Sequence, residues 1–216
     1  MFLRPLIAAA AMLAGASVLP AAPPPAPADP IGIIAGTYQA DRTHTVVGWR
    51  VSHMGFNDTF GLFGSITGTL VLDPAKLSEA RVAMRIPVRK VVTANEVLTA
   101  ALLRPNGARG RPDYFGPQPP DAMFTSTAVK PGTDGRSAII EGKLTLNGKT
   151  APVTLLATFS GTGKNRFSGK QTIGFHGTAT IDRTQWGLDA DLPLVGSAVD
   201  LSISVAFELV PTSKPN

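Results

Sequence analysis

The chain carries three histidines, His44, His53 and His176, and no cysteine. The absence of cysteine removes disulfides, thiolate nucleophiles and sulfur-ligated metal. A histidine metal site needs imidazoles converging at about 2 Å from the ion. No two of the three stand two or four positions apart, so there is no local ligand pair and no metal site is expected. His53 shares strand parity with Trp49 and Val51 and should point the same way. Its two readings are a general base and an ordinary hydrogen-bonded residue at the mouth of a sheet. A nucleophilic serine would need the Gly-x-Ser-x-Gly elbow, and Gly64-Ser65 has the wrong spacing. Gly148-Lys149-Thr150 has the ending of a phosphate loop, but Lys143 stands where the first glycine belongs, and the segment joins two strands. Gly163-Lys164 is followed by Asn165. No catalytic constellation is present, and no catalytic residue is expected.

The elements around these residues are strands. Period-two alternation marks a β-strand with one apolar face. It places Val47, Trp49, Val51 and His53 on one face of a first segment, and Ile66, Gly68, Leu70 and Leu72 on a second. Val82, Met84, Ile86 and Val88 form the third, and Met123 to Val129 a shorter fourth. The fifth carries Ala138, Ile140, Gly142, Leu144 and Leu146. The sixth carries Val153, Leu155, Ala157 and Phe159, and the seventh Ile173, Phe175, Gly177, Ala179 and Ile181. Leu201, Ile203, Val205, Phe207 and Leu209 form the eighth. Asp134-Gly135 and Asn147-Gly148 supply hairpin turns, because these residue types tolerate positive φ. Ala94 to Leu103 reads as a helix, with Thr93 as its N-cap. The expected fold is all-β: an eight-stranded antiparallel barrel with a helix between strands 3 and 4. Closure removes the two long edges that an open sheet would expose. A two-sheet sandwich is the alternative.

Length and composition agree with one exported domain. The chain has 216 residues, 44% hydrophobic and 16% charged, with a formal net charge of +5. Its basic residues are dispersed and not interleaved with aromatics, so no nucleic-acid footprint is expected; transient contact with an anionic membrane surface is compatible with the charge. Arg4, the apolar run Leu6 to Leu19 and the small residues Ala21 and Ala22 follow the order of a secretory signal peptide. The alternative is an N-terminal membrane anchor. The expected organisation is a signal peptide over 1–22, a Pro-rich spacer over 23–35, the barrel over 36–210 and a tail over 211–216.

Small residues recur on the apolar faces: Gly68, Gly142, Gly177, Ala138, Ala157 and Ala179. They mark either unfilled interior volume or ordinary relief of curvature and taper. If there is a cavity, its lining should include Trp49, Val51, Met84, Phe124, Leu144, Phe159, Phe175 and Val205, with almost no charge. Such a lining favours an apolar ligand. At about 0.8 kcal/mol per buried methylene, roughly ten carbons give gross energy of micromolar order before association costs, so a longer chain is expected.

Five segments carry a resemblance. They are Asp41-Arg42-Thr43-His44-Thr45 continued by Val47, Trp49, Val51, His53 and Gly55; Phe60-Gly61-Leu62-Phe63 with Gly68-Thr69-Leu70 and Asp73; Pro112-Asp113-Tyr114-Phe115 with Met123-Phe124-Thr125-Ser126-Thr127; Gly142 to Gly148 with Pro152-Val153; and Ile181-Asp182-Arg183-Thr184-Gln185-Trp186-Gly187. Their order over 36–210 resembles the YceI-like family of periplasmic, lipocalin-like, polyisoprenoid-binding proteins. The resemblance implies a periplasmic or secreted barrel with a long apolar pocket for an isoprenoid lipid such as a quinone or polyprenyl chain. It implies no catalysis and no other cofactor. It adds Tyr114 and Phe115 to the ligand-binding candidates, which also include His53 by strand parity and Ala157 and Gly177 as small residues on apolar faces. Two departures stand out: Thr99-Ala100-Ala101-Leu102-Leu103 lacks the Asp and His usual in that helix, and Tyr114 replaces the usual Phe. A small enzyme using His53 on such a lipid, and an interaction module with a filled core, are the competing readings. The oligomeric state is open, a homodimer included.

Overall fold

The computed structural model describes residues 32–211. The expected signal peptide, most of the spacer and most of the tail lie outside them. Eleven strands follow in chain order: β1 (Gly36–Ala40), β2 (Val46–His53), β3 (Asn57–Phe63), β4 (Thr67–Leu72), β5 (Arg81–Ile86), β6 (Val92–Thr93), β7 (Ala122–Pro131), β8 (Ser137–Leu146), β9 (Lys149–Lys164), β10 (Gln171–Asp182) and β11 (Val195–Leu209). They form eight barrel strands, because the first three are each broken in two. β1 and β2 both pair with β11, at Tyr38↔Leu209 and His53↔Val195. β1 also pairs with β4 and β2 with β3, so the second barrel strand is β3 followed by β4. β4 pairs with β5 and β3 with β6, which makes β5 and β6 the third. The remaining strands continue as antiparallel neighbours from β5 through β7, β8, β9 and β10 to β11. The circle is closed, so the barrel has no continuous free edge, and the sandwich alternative falls away.

Local chemistry explains the joints. Asn147 (φ 50°) and Gly148 (φ 74°) both occupy the left-handed region, as the turn of a two-residue hairpin requires. Between the third and fourth barrel strands stands α1 (Glu96–Leu102). Its N-cap is Asn95 rather than Thr93: the Asn95 side chain accepts from the Leu98 amide at 3.1 Å. Thr93 instead donates its hydroxyl to the Asn95 carbonyl at 2.7 Å, one step outside the helix.

The interior is packed in two clusters of buried side chains. Tyr38, Leu70, Leu72, Ala80, Phe159, Ile173 and Phe207 fill the end away from α1. Phe124, Ala151, Val153 and Trp186 form the second. There the Trp186 indole donates to the Leu144 carbonyl at 2.9 Å, so the ring buries its area without orphaning its N–H.

Three inward glycines explain part of the small-residue pattern. A Cβ on Gly61 would overlap the Trp49 ring, one on Gly68 would overlap Met84 and the Ala83 carbonyl, and one on Gly142 would overlap Phe124 and the Thr125 carbonyl. Gly68 and Gly142 were expected to be candidates for empty volume. The structure corrects this: each is the seat of a large side chain from the next strand. Gly177 is different, since a Cβ there meets Ile203 only at 3.4 Å.

Candidate functional site

The closed barrel encloses a cavity of about 670 Å³. Its size lies within the range of roughly 300–1,000 Å³ seen for small-molecule sites. Trp49, Val51 and His53 on β2 face into it, as does Met84 on β5. Phe124 on β7, Leu144 on β8, and Ala157 and Phe159 on β9 line it. Phe175 and Gly177 on β10 and Val205 on β11 complete the strand contribution. Tyr114 and Phe115 reach it from the long loop after α1. All thirteen candidate residues therefore share one cavity. Strand parity delivers eleven of them, since alternate residues of each strand point inward.

Aromatic contacts stiffen the wall at both ends. Phe159 and Phe175 meet edge to face at 6.0 Å, and Phe175 meets Phe207 at 6.4 Å. Toward α1, Phe115 packs edge to face on Phe63 at 5.9 Å, and its amide donates to the Leu102 carbonyl at 3.0 Å. That pair ties the loop to the helix and to β3.

The cavity is polar at the α1 end. His53, Arg104, Tyr114, Arg183 and Asp191 all belong to its wall. Tyr114 donates its hydroxyl to Asp191 Oδ2 at 2.8 Å, and Arg104 donates to Asp113 Oδ2 at 2.9 Å. Arg183, only 5% exposed, organises the loop before β11. Its Nε donates to the Gly196 carbonyl at 2.8 Å. Its Nη2 donates to the carbonyls of Ala190 and Val195, both at 2.8 Å, and its Nη1 to that of Leu188. The loop so held carries Asp191, whose φ of 59° is in the left-handed region. Asp191, Arg183 and Arg104 are absent from the candidates read from sequence. The only sequence signal was the Asp182-Arg183-Thr184 motif, and it does not say where the guanidinium points.

Burial, and then the Asp191 carboxylate, push the Tyr114 hydroxyl up to about 12. Burial also raises Tyr38, whose hydroxyl donates to the Ile34 carbonyl. The chain has only two tyrosines, and an ordinary tyrosine half-ionises near pH 10. Absorbance at 295 nm should therefore stay flat as pH passes 10 and rise only as the fold opens. The sign follows from linkage: the unfolded tyrosines lose protons first, so stability is intact below about pH 10 and falls as pH rises toward 12. A half-rise at pH 10 in the folded protein would contradict this burial.

The three histidines stay apart. His44 is exposed in the break between β1 and β2, with Nδ1 2.6 Å from Asp41 Oδ2. His176 on β10 is exposed and also borders the cavity, which His53 lines from β2. Among the described residues no group of three or more His, Asp or Glu could hold a metal ion, and no helix is long and apolar enough to cross a membrane.

Known proteins carry the same architecture. A UPF0312 protein of Pseudomonas fluorescens is 33% identical over 178 residues, covering 80% of this chain and 86% of its own. The crystal structure of BcnA of Burkholderia cenocepacia superposes with a TM-score of 0.63 at 24% identity, covering 75% of this chain and 95% of BcnA. A polyisoprenoid binding domain from Saccharophagus degradans superposes with a TM-score of 0.55 at 13% identity, covering 80% of this chain and 98% of its own. The YceI-like domain model matches residues 38–207. A closed barrel around an apolar cavity, with that match over nearly all of it, places the chain in the YceI-like family.

Proposed function

We propose that the protein binds an isoprenoid lipid, such as a quinone or polyprenyl chain, and carries or stores it in the periplasm without chemically altering it. The observation that carries this reading is the cavity of about 670 Å³, walled almost throughout by aliphatic and aromatic side chains, with a polar cluster toward α1 and Arg136 and Ser137 at the opposite end. An amphiphile fits that distribution with its tail among Phe124, Leu144, Phe159 and Phe175 and its head near Tyr114. Driving force comes from the tail, at about 0.8 kcal/mol for each methylene buried. Binding rather than catalysis is favoured because neither His53 nor His176, the two histidines on the wall, has a hydrogen-bonded carboxylate or nucleophile beside it among the described residues. The family's polyisoprenoid-binding neighbour supports the ligand class. Export rests on the Arg4 and Leu6 to Leu19 pattern, and a periplasmic barrel would shield the chain of such a lipid from water.

The test uses the two tryptophans. Trp49 lines the cavity, whereas Trp186 is 1% exposed and stands behind the wall, in the cluster with Phe124, Ala151 and Val153, without lining the cavity itself. Titration with a long-chain quinone should quench fluorescence saturably at one equivalent, and Trp49→Phe should remove most of the quenching. Quenching that never saturates, or that persists in Trp49→Phe, would count against a ligand in this cavity.

A further inference from the structure

We propose that the tip of the hairpin between β9 and β10 docks the barrel on an anionic lipid bilayer, with Phe167 entering the head-group layer and Lys164 and Arg166 meeting lipid phosphates. The contact is independent of what the cavity holds, and it lies at the end of the barrel away from α1. Three observations point to it.

The first is exposure. Phe167 is 100% exposed, so the whole ring stands in water. It sits on a hairpin that outruns its neighbour. The pairing of β8 with β9 ends at Ser137↔Thr158, and from Ser160 to Lys164 β9 has only β10 beside it. The ring is therefore carried past the end of β8.

The second is rigidity. The Asn165 side chain accepts from the amides of Phe167 at 2.8 Å and Ser168 at 3.3 Å. The Gly169 amide donates to the Asn165 carbonyl, and the Asn165 amide to the Lys170 carbonyl, both at 2.8 Å. Gly169 supplies the left-handed residue of the turn, with φ 72°. Glu208 on β11 accepts from the Ser168 hydroxyl, from Asn165 Nδ2 at 3.3 Å and from Lys170 Nζ at 3.0 Å. The tip is thus locked in the form that presents the ring, and little ordering is left to oppose docking.

The third is charge. Between Gly161 and Thr172 the chain carries Lys164, Arg166 and Lys170 and no acid. Lys170 is spent on Glu208, whereas Lys164 and Arg166 have no partner among the described residues. The other strongly exposed phenylalanines, Phe56 and Phe60, flank the carboxylate Asp58 instead. The amides of residues 167–170 are satisfied inside the loop, so the tip offers a partner only a ring and two cations. That suits a diffuse surface that is anionic outside and apolar beneath, as an interfacial anchor requires. Each basic side chain near such a surface contributes about fivefold in partitioning.

The experiment measures binding of the mature protein to vesicles of equal parts phosphatidylglycerol and phosphatidylcholine, and to vesicles of phosphatidylcholine alone. Binding should favour the anionic vesicles and be largely lost near 1 M salt, where the screening length is about 3 Å. Phe167→Ser should weaken it about tenfold. Lys164→Gln with Arg166→Gln should weaken it about twentyfold. Neither change should move the thermal midpoint, because these side chains are exposed. Phe167→Trp reports the tip itself: its added fluorescence should be quenched by anionic lipids brominated on their chains. Absence of that quenching, or equal quenching on phosphatidylcholine vesicles, would overturn the docking site. So would wild-type binding by Phe167→Ser. A blue shift in Phe167→Trp that depends on protein concentration without vesicles would show a contact between two copies of the chain, and would also overturn it. All of these outcomes leave the isoprenoid reading standing.

Discussion

Ala157→Leu should cost the protein its lipid and almost none of its stability. Ala157 lies on β9 opposite Ala138 of β8, so two methyl groups face each other where neighbouring positions carry Leu155 and Phe159. Both alanines line the cavity. In a filled core the larger side chain would be overpacked, at a cost of about 1–3 kcal/mol. Here the added carbons enter the cavity and bury apolar surface at about 25 cal/mol per Å². The thermal midpoint should therefore stay where it is or rise. Retention of a long isoprenoid should fall at least tenfold, about 1.4 kcal/mol, because the leucine occupies space the tail needs. The site lies toward the end away from α1, so shorter chains should be affected less. A midpoint lowered by many degrees with lipid retention unchanged would mean that Ala157 serves packing alone.

Arg183→Leu should have the largest effect on stability. Leucine would fill part of the space and satisfy none of the four carbonyls that Arg183 now holds. A buried acceptor left without a donor costs about 1–3 kcal/mol. Even with partial relaxation the loss should reach at least about 3 kcal/mol, which in a domain of this size lowers the midpoint by on the order of 10 °C. Arg183→Lys should rescue little, because an ammonium cannot reproduce the planar fork that reaches Leu188, Ala190, Val195 and Gly196 together. The loop carrying Asp191 should loosen. A midpoint within about 2 °C of wild type in Arg183→Leu would show that the loop is held by other contacts.

The alternation of apolar residues made most of the barrel legible, because an inward face must be apolar wherever it meets the core. It failed at β3. There Phe60 and Leu62 point outward, 60% and 47% exposed, while Gly61 points inward beneath Trp49. The apolar parity of Asn57–Phe63 is thus inverted for three residues, and the segment does not read as a strand with its face to the interior. β1 was missed because five residues are too few to establish a period. The cavity wall was readable from the same parity that gave the strands. The polar end was not. Tyr114 and Asp191 lie 77 positions apart and meet only because Arg183 folds the second loop toward the first. No local spacing encodes that meeting. The inward glycines show the reverse case: their pattern is visible, but a glycine beneath Phe124 and a glycine beside open volume look alike until the neighbouring strand is in place.

The most direct test of the central claim is native mass spectrometry of the mature protein purified from the membrane-containing lysate of its own host. The account predicts a non-covalent adduct of fixed mass at one per chain. It should be released on denaturation, fragment as an isoprenoid and be lost in Ala157→Leu. A protein that emerges at its bare polypeptide mass, and takes up no isoprenoid when offered one in detergent, would contradict the account.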